Sequence, residues 1–263
     1  MVDTHCHILH GIDDGSRSKE MTGQMLDQAA TAGIREIIAT PHITPEDDER
    51  FVNEIVDRYQ KTKIMAKLRN IDLYLGAEIY YSAMIQEQLE KWKSLYLGNN
   101  ELFILLESSF IQKPFNFKEL VFNLQVSGIK VVFAHPERYR WLSEDQDMLE
   151  YLFNSGVFFQ LDAGSINGKY SRRAQKFAWE LLDSGYAHLV GSDAHNTTGR
   201  SFLELLEAKE LITRSRDART AEILFESNPH NILHGKNEII AINKRVKEVT
   251  LLNRITNFMK PEI

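Results

Sequence analysis

Histidines and carboxylates follow the apolar segments of this 263-residue chain in a pattern that suggests metal chemistry. The first group lies in VDTHCHILHGIDDGS, residues 2–16, which holds three histidines, one cysteine and two adjacent aspartates. The spacing of His5 and His7 places both imidazoles on one side of an extended strand and turns Cys6 to the other side. Imidazole nitrogen and carboxylate oxygen, without thiolate, suit Mn, Fe or Zn in a hydrolytic site.

Similar residues recur at or just after the ends of later apolar segments. The candidate metal ligands are His5, His7, Asp14, His42, Glu78, Glu107, His135, Asp193 and His195. One ion cannot use so many ligands, so two or three ions are expected, with carboxylates such as Glu78 bridging them. Four carboxylates, three divalent ions and a bridging hydroxide leave a charge of about +1, which favours an anion such as a phosphate ester. Arg138 and Arg200 lie near the ligands in sequence and are candidates for binding its oxygens.

The elements that must position these residues are short β-branched segments separated by longer segments with helical periodicity. The seven predicted strands cover 1–5, 36–40, 71–78, 102–107, 130–135, 157–162 and 187–192. The six predicted helices cover 18–32, 45–69, 81–91, 116–126, 143–154 and 172–184. Gly33, Gly128, Gly156 and Gly185 each precede a strand, where a glycine commonly ends a helix. The alternation predicts parallel strands whose carboxyl ends meet on one face, in either a closed barrel or an open doubly wound sheet.

The composition narrows the class of protein. With 43% hydrophobic and 26% charged residues and no Gly/Ser-rich linker, the chain is predicted to form one globular domain. The formal net charge of −6 argues against a nucleic-acid partner. A single cysteine excludes an intramolecular disulfide, and Ile12 stands where a cysteine phosphatase needs its arginine, so Cys6 is predicted to be a small buried residue. No apolar run could span a membrane and no signal-peptide pattern is present, so a cytoplasmic location is expected.

Six short motifs carry a family resemblance, in this order: DTHCH, DDG, ATPHI, GAEIY, AHPERY and GSDAH. They resemble the PHP (polymerase and histidinol phosphatase) superfamily, and more closely its bacterial manganese-dependent protein-tyrosine phosphatases of the CpsB/YwqE type, found in capsule and exopolysaccharide operons. The resemblance extends to about Asn231. It implies an α/β fold, a distorted (β/α)7 TIM-like barrel forming a single domain over 1–242, with three Mn ions or, as alternatives, Fe or Zn.

The resemblance also divides the nine candidate ligands among three ions. The implied sets are Asp14, His42 and His195; His5, His7, Glu78 and Asp193; and Glu78, Glu107 and His135. Arg138 and Arg200 match the family's phosphate-binding arginines and are the implied catalytic residues.

The function implied by the resemblance is hydrolysis of phosphotyrosine by a metal-bridging hydroxide. The implied partner is a phosphotyrosine-containing protein, a bacterial tyrosine kinase that regulates capsular or extracellular polysaccharide synthesis. Two alternatives stay open: a small-molecule phosphoesterase such as a histidinol-phosphatase, and a non-catalytic regulatory module. The general acid and the oligomeric state are not assigned.

Other polar residues near the motifs are interpreted as structural. Asp13 is interpreted as a turn former or as an acceptor behind a ligand. His10 is interpreted as a surface loop residue, with a substrate contact or a ligand to a further ion as the alternative. His188 is interpreted as a core residue with a satisfied side chain. His230 and His234 are assigned to a turn and a C-terminal helix.

The remaining interpretations concern strand ends and the C-terminus. Asp162 ends a predicted strand but is left out of the ligand set, because the family does not use that position. Tyr80, Tyr81, Phe110 and Phe115 follow strand ends and either stack on a substrate ring or pack in the core. The basic amphipathic segment 243–263 is predicted to be a helix packed on the barrel, with a membrane-surface or kinase-docking element as the alternative.

Overall fold

Nine short strands form the sheet structure of the described residues, which are 1–82 and 85–245 of the computed structural model. In chain order, β1 to β9 are Val2–Cys6, Glu36–Ala39, His42–Ile43, Asp72–Leu75, Glu78–Tyr80, Phe103–Glu107, Lys130–Ala134, Phe158–Asp162 and Ala187–Gly191. They form two ladders, β1-β2-β4 and β3-β5-β6-β7-β8-β9, in which every pair is parallel.

Two of the predicted strands are each divided in two. Pro41 separates β2 from β3, because proline lacks the N–H that a continuous ladder needs. Gly76 lies between β4 and β5, so close to Ile38 and Leu97 that a Cβ would meet both side chains at 3.0 Å. The two divided strands still pair with each other along both halves, since β2 pairs with β4 and β3 pairs with β5.

The barrel closes between its first and last strands. Cys6 bridges Ala194 in parallel, and the His7 N–H donates to the Ala194 carbonyl at 2.8 Å. The Asp193 N–H donates to the His5 carbonyl at 2.9 Å. The strands therefore neighbour each other in chain order around the whole barrel, whereas a doubly wound sheet reverses its order partway. The predicted distorted (β/α)7 barrel is confirmed, and the open sheet is excluded.

Helices follow the strands along the chain. Within the described residues, α1 to α11 are Lys19–Thr31, Glu49–Lys67, Ile85–Leu89, Phe117–Val126, Arg140–Ser143, Gln146–Asn154, Ala163–Asn167, Arg172–Asp183, Leu203–Ser215, Ala218–Glu222 and Asn228–Leu233. A π-helical turn, Ile223–Ser227, joins α10 to α11. The helix predicted over 81–91 is shorter than expected, and α5, α7, α9 and α10 are absent from the predicted helices. The four glycines predicted to end helices have φ between 76° and 79°, the left-handed conformation of a helix C-terminus.

Apolar residues fill one end of the barrel and leave the other to polar groups. Val2, Leu105, Val132 and Leu189 pack together inside the strands, and α11 contributes Ile232 and Leu233 below them. A larger apolar cluster lies between the strands and the outer helices. The functional side chains therefore gather at the carboxyl ends of the strands, as expected for a barrel of this kind.

The chain beyond the barrel is described only in part. Residues 243–245 lie against α8, where the Arg245 N–H donates to the Asp183 carbonyl at 2.8 Å. From 246 onward the segment predicted over 243–263 falls outside the described residues, so its helix and its separate assignment stay predictions. No helix in the described part of the chain is long and apolar enough to cross a bilayer.

Candidate active site

Four predicted ligands converge at the centre of the upper end of the barrel. The Nε2 atoms of His5 and His7 are 3.3 Å apart. Both face Glu78 Oε2, at 3.1 and 3.2 Å, and Asp193 Oδ1, at 3.5 and 3.4 Å. All four side chains are almost fully buried. The expected spacing is confirmed, because the two imidazoles point to the same side while Cys6 is buried on the other, with its thiol 3.6 Å from the Ile38 carbonyl.

Two further groups share residues with this quartet. Asp14 Oδ1 lies 3.2 Å from His195 Nε2 and 3.5 Å from His42 Nε2. His42 Nδ1 lies 3.0 Å from Glu107 Oε1 and 3.2 Å from Glu78 Oε2. His135 Nε2 completes the arrangement, 2.8 Å from Glu78 Oε1 and 3.9 Å from Glu107 Oε2.

All nine predicted ligands are thus brought together, and Glu78 lies at their centre. Its two oxygens are within 3.2 Å of nitrogen atoms on His5, His7, His42 and His135. The atoms fall into three groups able to share a metal ion: His5, His7, Glu78 and Asp193; His7, Asp14, His42 and His195; and His42, Glu78 and Glu107. We refer to the nine residues together as the upper cluster.

The donor atoms of the upper cluster fit divalent cations. In a tetrahedral site with bonds of about 2.1 Å, neighbouring ligand atoms are roughly 3.4 Å apart, and the quartet spans 3.1 to 3.5 Å. Asp193 Oδ1 and His195 Nε2 are buried but make no hydrogen bond within the described residues. Nitrogen and carboxylate oxygen without sulfur is a donor set that Mn, Fe and Zn accept.

The pKa values of His7 and His42 in the upper cluster reflect the negative charge of its carboxylates, which a bound cation would neutralise. Burial alone would lower the pKa of His42, but Asp14 and Glu107 raise it to about 10. Burial likewise opposes protonation of His7, yet Asp13, Asp193 and Glu78 raise its pKa well above the usual value. Burial and the neighbouring His7 lower the pKa of His195 to about 3. The nearby carboxylates thus favour protonated imidazoles, and a metal ion would replace that positive charge.

Residues behind the ligands fix the orientation of the rings. Asp13 Oδ2 lies 2.8 Å from His7 Nδ1 and accepts the His42 N–H at 3.1 Å, so its interpretation as an acceptor is confirmed. Gln160 Oε1 lies 2.8 Å from His5 Nδ1, and its amide donates to Thr4 at 2.7 Å. Gln160 was not anticipated, although a buried amide inside a predicted strand is a signal that could have identified it.

Backbone geometry also directs ligands into the site. His135 and Asp193 have φ of 35° and 50°, in the left-handed region that side chains other than glycine rarely adopt. Gly15 passes so close to His7 that a Cβ would lie 2.2 Å from the His7 carbonyl oxygen. A side chain at position 15 would therefore displace the loop that presents Asp14.

Both predicted arginines lie beside the upper cluster. Arg138 contacts Asp193 Oδ2 at 2.9 Å, and Arg200 donates to the same oxygen. The guanidinium of Arg138 is held between the rings of Phe110 and Tyr170, at 4.6 and 4.7 Å from their centroids.

A pocket of about 410 Å³ opens over the upper cluster, with both arginines in its wall. Tyr80 and Phe110 also line it, whereas Phe115 is 78% exposed and Tyr81 donates to the Phe115 carbonyl outside it. Of the four aromatic residues, Tyr80 and Phe110 line the pocket, and Tyr81 and Phe115 do not.

The remaining candidates lie outside the ligand groups. Asp162 is buried 3.6 Å from Arg138, where its carboxylate supports the guanidinium. His10 is half-buried on its loop and belongs to none of the metal-binding groups of the described residues. His188 is a core residue as predicted, and its Nδ1 accepts the Phe159 N–H at 3.0 Å. His230 and His234 lie in and just after α11, as expected, but they form a cluster of their own with Glu36.

Residues 1–234 match the family model for capsular polysaccharide synthesis, CpsB/CapC. The chain belongs to the CpsB/CapC family. It is 34% identical to the tyrosine-protein phosphatase YwqE of Bacillus subtilis over 77% of this chain and 80% of that protein. It is 29% identical to the tyrosine-protein phosphatase CpsB of Streptococcus pneumoniae over 89% of this chain and 98% of that protein.

A solved structure agrees with this assignment to the CpsB/CapC family. It comes from a study of YwqE and CpsB as metal-dependent tyrosine phosphatases and superposes with a TM-score of 0.82 at 28% identity. The match covers 94% of this chain and all of the other. The resemblance drawn from the six motifs is confirmed.

Proposed function

We propose that this chain is a metal-dependent protein-tyrosine phosphatase of capsular or extracellular polysaccharide synthesis. The observation that carries the proposal is the convergence of nine metal-ligand side chains and two arginines on one open pocket. Its relatives in the CpsB/CapC family are named as tyrosine-protein phosphatases, which supports a phosphotyrosyl substrate.

The upper cluster would hold the metal ions in the three sets implied by the family resemblance. These are His5, His7, Glu78 and Asp193; Asp14, His42 and His195; and Glu78, Glu107 and His135. We propose three ions, with Mn as the physiological metal and Fe or Zn as substitutes. When bound, such ions lower the pKa of a coordinated water and polarise a phosphoryl group.

Arg138 and Arg200 would bind the phosphate of the substrate. Both converge on Asp193 Oδ2 at the edge of the pocket, and each guanidinium has further N–H groups available for phosphate oxygens. Because guanidinium keeps its charge at all relevant pH values, the pair neutralises charge on the phosphoryl group as it transfers. Phenolate is a fairly good leaving group, so no strong general acid is assigned.

The rim of the pocket suits an aromatic phosphoester carried by a protein. Tyr80 and Phe110 line it, and both are partly exposed, with 37% and 40% of their surface accessible. They offer faces for a phosphotyrosine ring. We propose a cytoplasmic tyrosine kinase of polysaccharide assembly as the partner. The net charge of −6 argues against a nucleic-acid substrate.

The deciding experiment compares two substrates on protein purified without chelators and loaded with Mn. A phosphotyrosine peptide is expected to be hydrolysed much faster than histidinol phosphate, and chelation is expected to abolish turnover. Preferential hydrolysis of histidinol phosphate would favour the small-molecule phosphatase instead. No turnover of either substrate with Mn, Fe or Zn would favour a non-catalytic module.

A further inference from the structure

A second histidine–carboxylate group lies at the opposite end of the barrel. Glu36 is the first residue of β2, so it lies at the amino ends of the strands, away from the upper cluster. His230 lies in α11 and His234 directly follows it. We refer to Glu36, His230 and His234 as the lower cluster.

The two histidines are presented side by side by the helix. Residues four apart lie on the same helical face, and the ring centroids of His230 and His234 are 4.2 Å apart. The carboxylate of Glu36 spans both rings: Oε2 is 3.2 Å from His230 Nδ1, and Oε1 is 3.5 Å from His234 Nε2. One potential ligand atom from each of the three residues lies within 4.8 Å of those of the other two.

The two contacts use different oxygens of Glu36, and the set with one ligand atom from each residue lies within 4.8 Å, so it is looser than a set around a bound ion. Ligand atoms around a tetrahedral Zn²⁺ are roughly 3.4 Å apart, close to both measured contacts. Two histidines and one carboxylate leave a coordination position for water, and all three side chains are reachable from solvent, with exposed fractions of 45%, 38% and 21% for His230, His234 and Glu36. A cavity of about 520 Å³, lined by Glu36 and His230, adjoins the cluster.

Other acidic groups near this cavity are already engaged. Glu226 pairs with Lys209 at 2.6 Å, and Glu222 pairs with Arg219. They add negative potential but are not free to ligate, so the site would take its protein ligands from the lower cluster alone.

We propose that Glu36, His230 and His234 form a separate site for one Zn²⁺ ion. Glu36 and His230 are 194 residues apart in sequence, so an ion here would join the first part of the barrel to its last helix. Binding requires the folded chain, so the ion stabilises that state. We assign the ion a stabilising role and no part in phosphoester hydrolysis, because the lower cluster lies at the opposite end of the barrel from the pocket that holds Arg138 and Arg200.

The test counts zinc on the holoenzyme. Wild type, His234→Ala, Glu36→Gln and the control Glu238→Gln are saturated with Mn, freed of excess metal and equilibrated with Zn²⁺, and both metals are measured per chain. Glu238 is exposed near α11 but outside the lower cluster, so its variant matches the charge change of Glu36→Gln.

We expect wild type and Glu238→Gln to bind one zinc more than His234→Ala or Glu36→Gln. This difference is the readout even where zinc also exchanges into the upper cluster, and it does not depend on the chain being a phosphatase. We also expect saturating zinc to raise the thermal midpoint of wild type by about 5 °C more than that of His234→Ala. Equal zinc content in all four proteins, each retaining its Mn, would overturn the proposal.

Discussion

The two ends of the barrel carry clusters of the same residue types with different surroundings. In the upper cluster the quartet is almost fully buried, and Asp13 and Gln160 hold two of its rings from behind. In the lower cluster the histidines are about two-fifths exposed and share a single carboxylate. Burial makes each charge in the upper cluster interact strongly with its neighbours, whereas water screens the lower one. Both clusters present imidazoles and carboxylates, and they differ in burial and in the two arginines that donate to Asp193 of the upper cluster.

The largest expected effect comes from removing a ligand of the upper quartet. His5→Ala or Asp193→Ala should lose bound Mn and lower the rate on a phosphotyrosine peptide by about 10³-fold or more, because several kcal/mol of transition-state stabilisation depend on the ions. Metal analysis and steady-state kinetics measure this, with His234→Ala as the matched histidine variant at the lower end. Full Mn content and full activity in Asp193→Ala would refute its assignment.

A buried histidine without a carboxylate, His188, should titrate in the opposite direction to His7 and His42 of the upper cluster. Burial lowers the pKa of His188 to about 4. Between pH 6.5 and 4 the unfolded chain therefore binds a proton that the folded chain excludes, so stability falls with decreasing pH by about 3 kcal/mol.

The variant His188→Asn keeps an acceptor for the Phe159 N–H and removes the titration. Urea unfolding at pH 7 and pH 4.5 should show a smaller acid loss for this variant than for wild type. Identical losses would show that His188 does not titrate in this range.

Two arginines that donate to the same ligand carboxylate, Asp193, distinguish the upper cluster from the lower one. Arg200→Ala should retain full Mn content, and its rate of phosphotyrosine hydrolysis should fall by about 10²-fold. The variant lacks one preorganised guanidinium that stabilises the charge on the phosphoryl group in the transition state. Arg200→Lys should recover part of the rate. An unchanged rate in Arg200→Ala would place that residue outside the catalytic site.

The hydrogen bonds behind the rings should set metal affinity. Asp13→Ala removes the partner of His7 Nδ1, and the Mn concentration for half-maximal activity should rise by about 10- to 100-fold. Activity at saturating Mn should largely recover, which separates this effect from loss of a ligand. An unaltered Mn requirement would mean that His7 is held by packing alone.

The smallest expected effect concerns the aromatic support of Arg138. Replacing one ring in Tyr170→Leu should raise KM for a phosphotyrosine peptide by about two- to fivefold, because a cation–π contact contributes about 0.5–1 kcal/mol. Mn content and kcat should change little. A fall in kcat as large as that of Arg200→Ala would indicate that Tyr170 acts in the reaction itself.

Much of the barrel could be predicted because its signals are local. Short apolar segments located the strands, and helical periodicity located the helices between them. Glycines such as Gly33 and Gly185 marked helix ends in the sequence, and the structure shows their positive φ. Closure was not predictable, since it depends on Cys6 meeting Ala194 from the far end of the chain. The division at Gly76 likewise depends on packing, since Ile38 and Leu97 crowd that position, whereas the division at Pro41 has a local cause.

The sequence by itself determined which residues could act as ligands and that they would share one face, because parallel strands end on the same side. Only the tertiary structure decided how they are grouped: Glu78 reaches four histidines because the closed barrel brings β1, β3, β5 and the end of β7 to one point. The tertiary structure also places Glu36 beside His230 and His234. From the sequence, these two histidines are assigned only to a turn and a helix. The physical reason is that local propensity acts over a few residues, whereas distances between side chains far apart in sequence are set by how the whole chain packs.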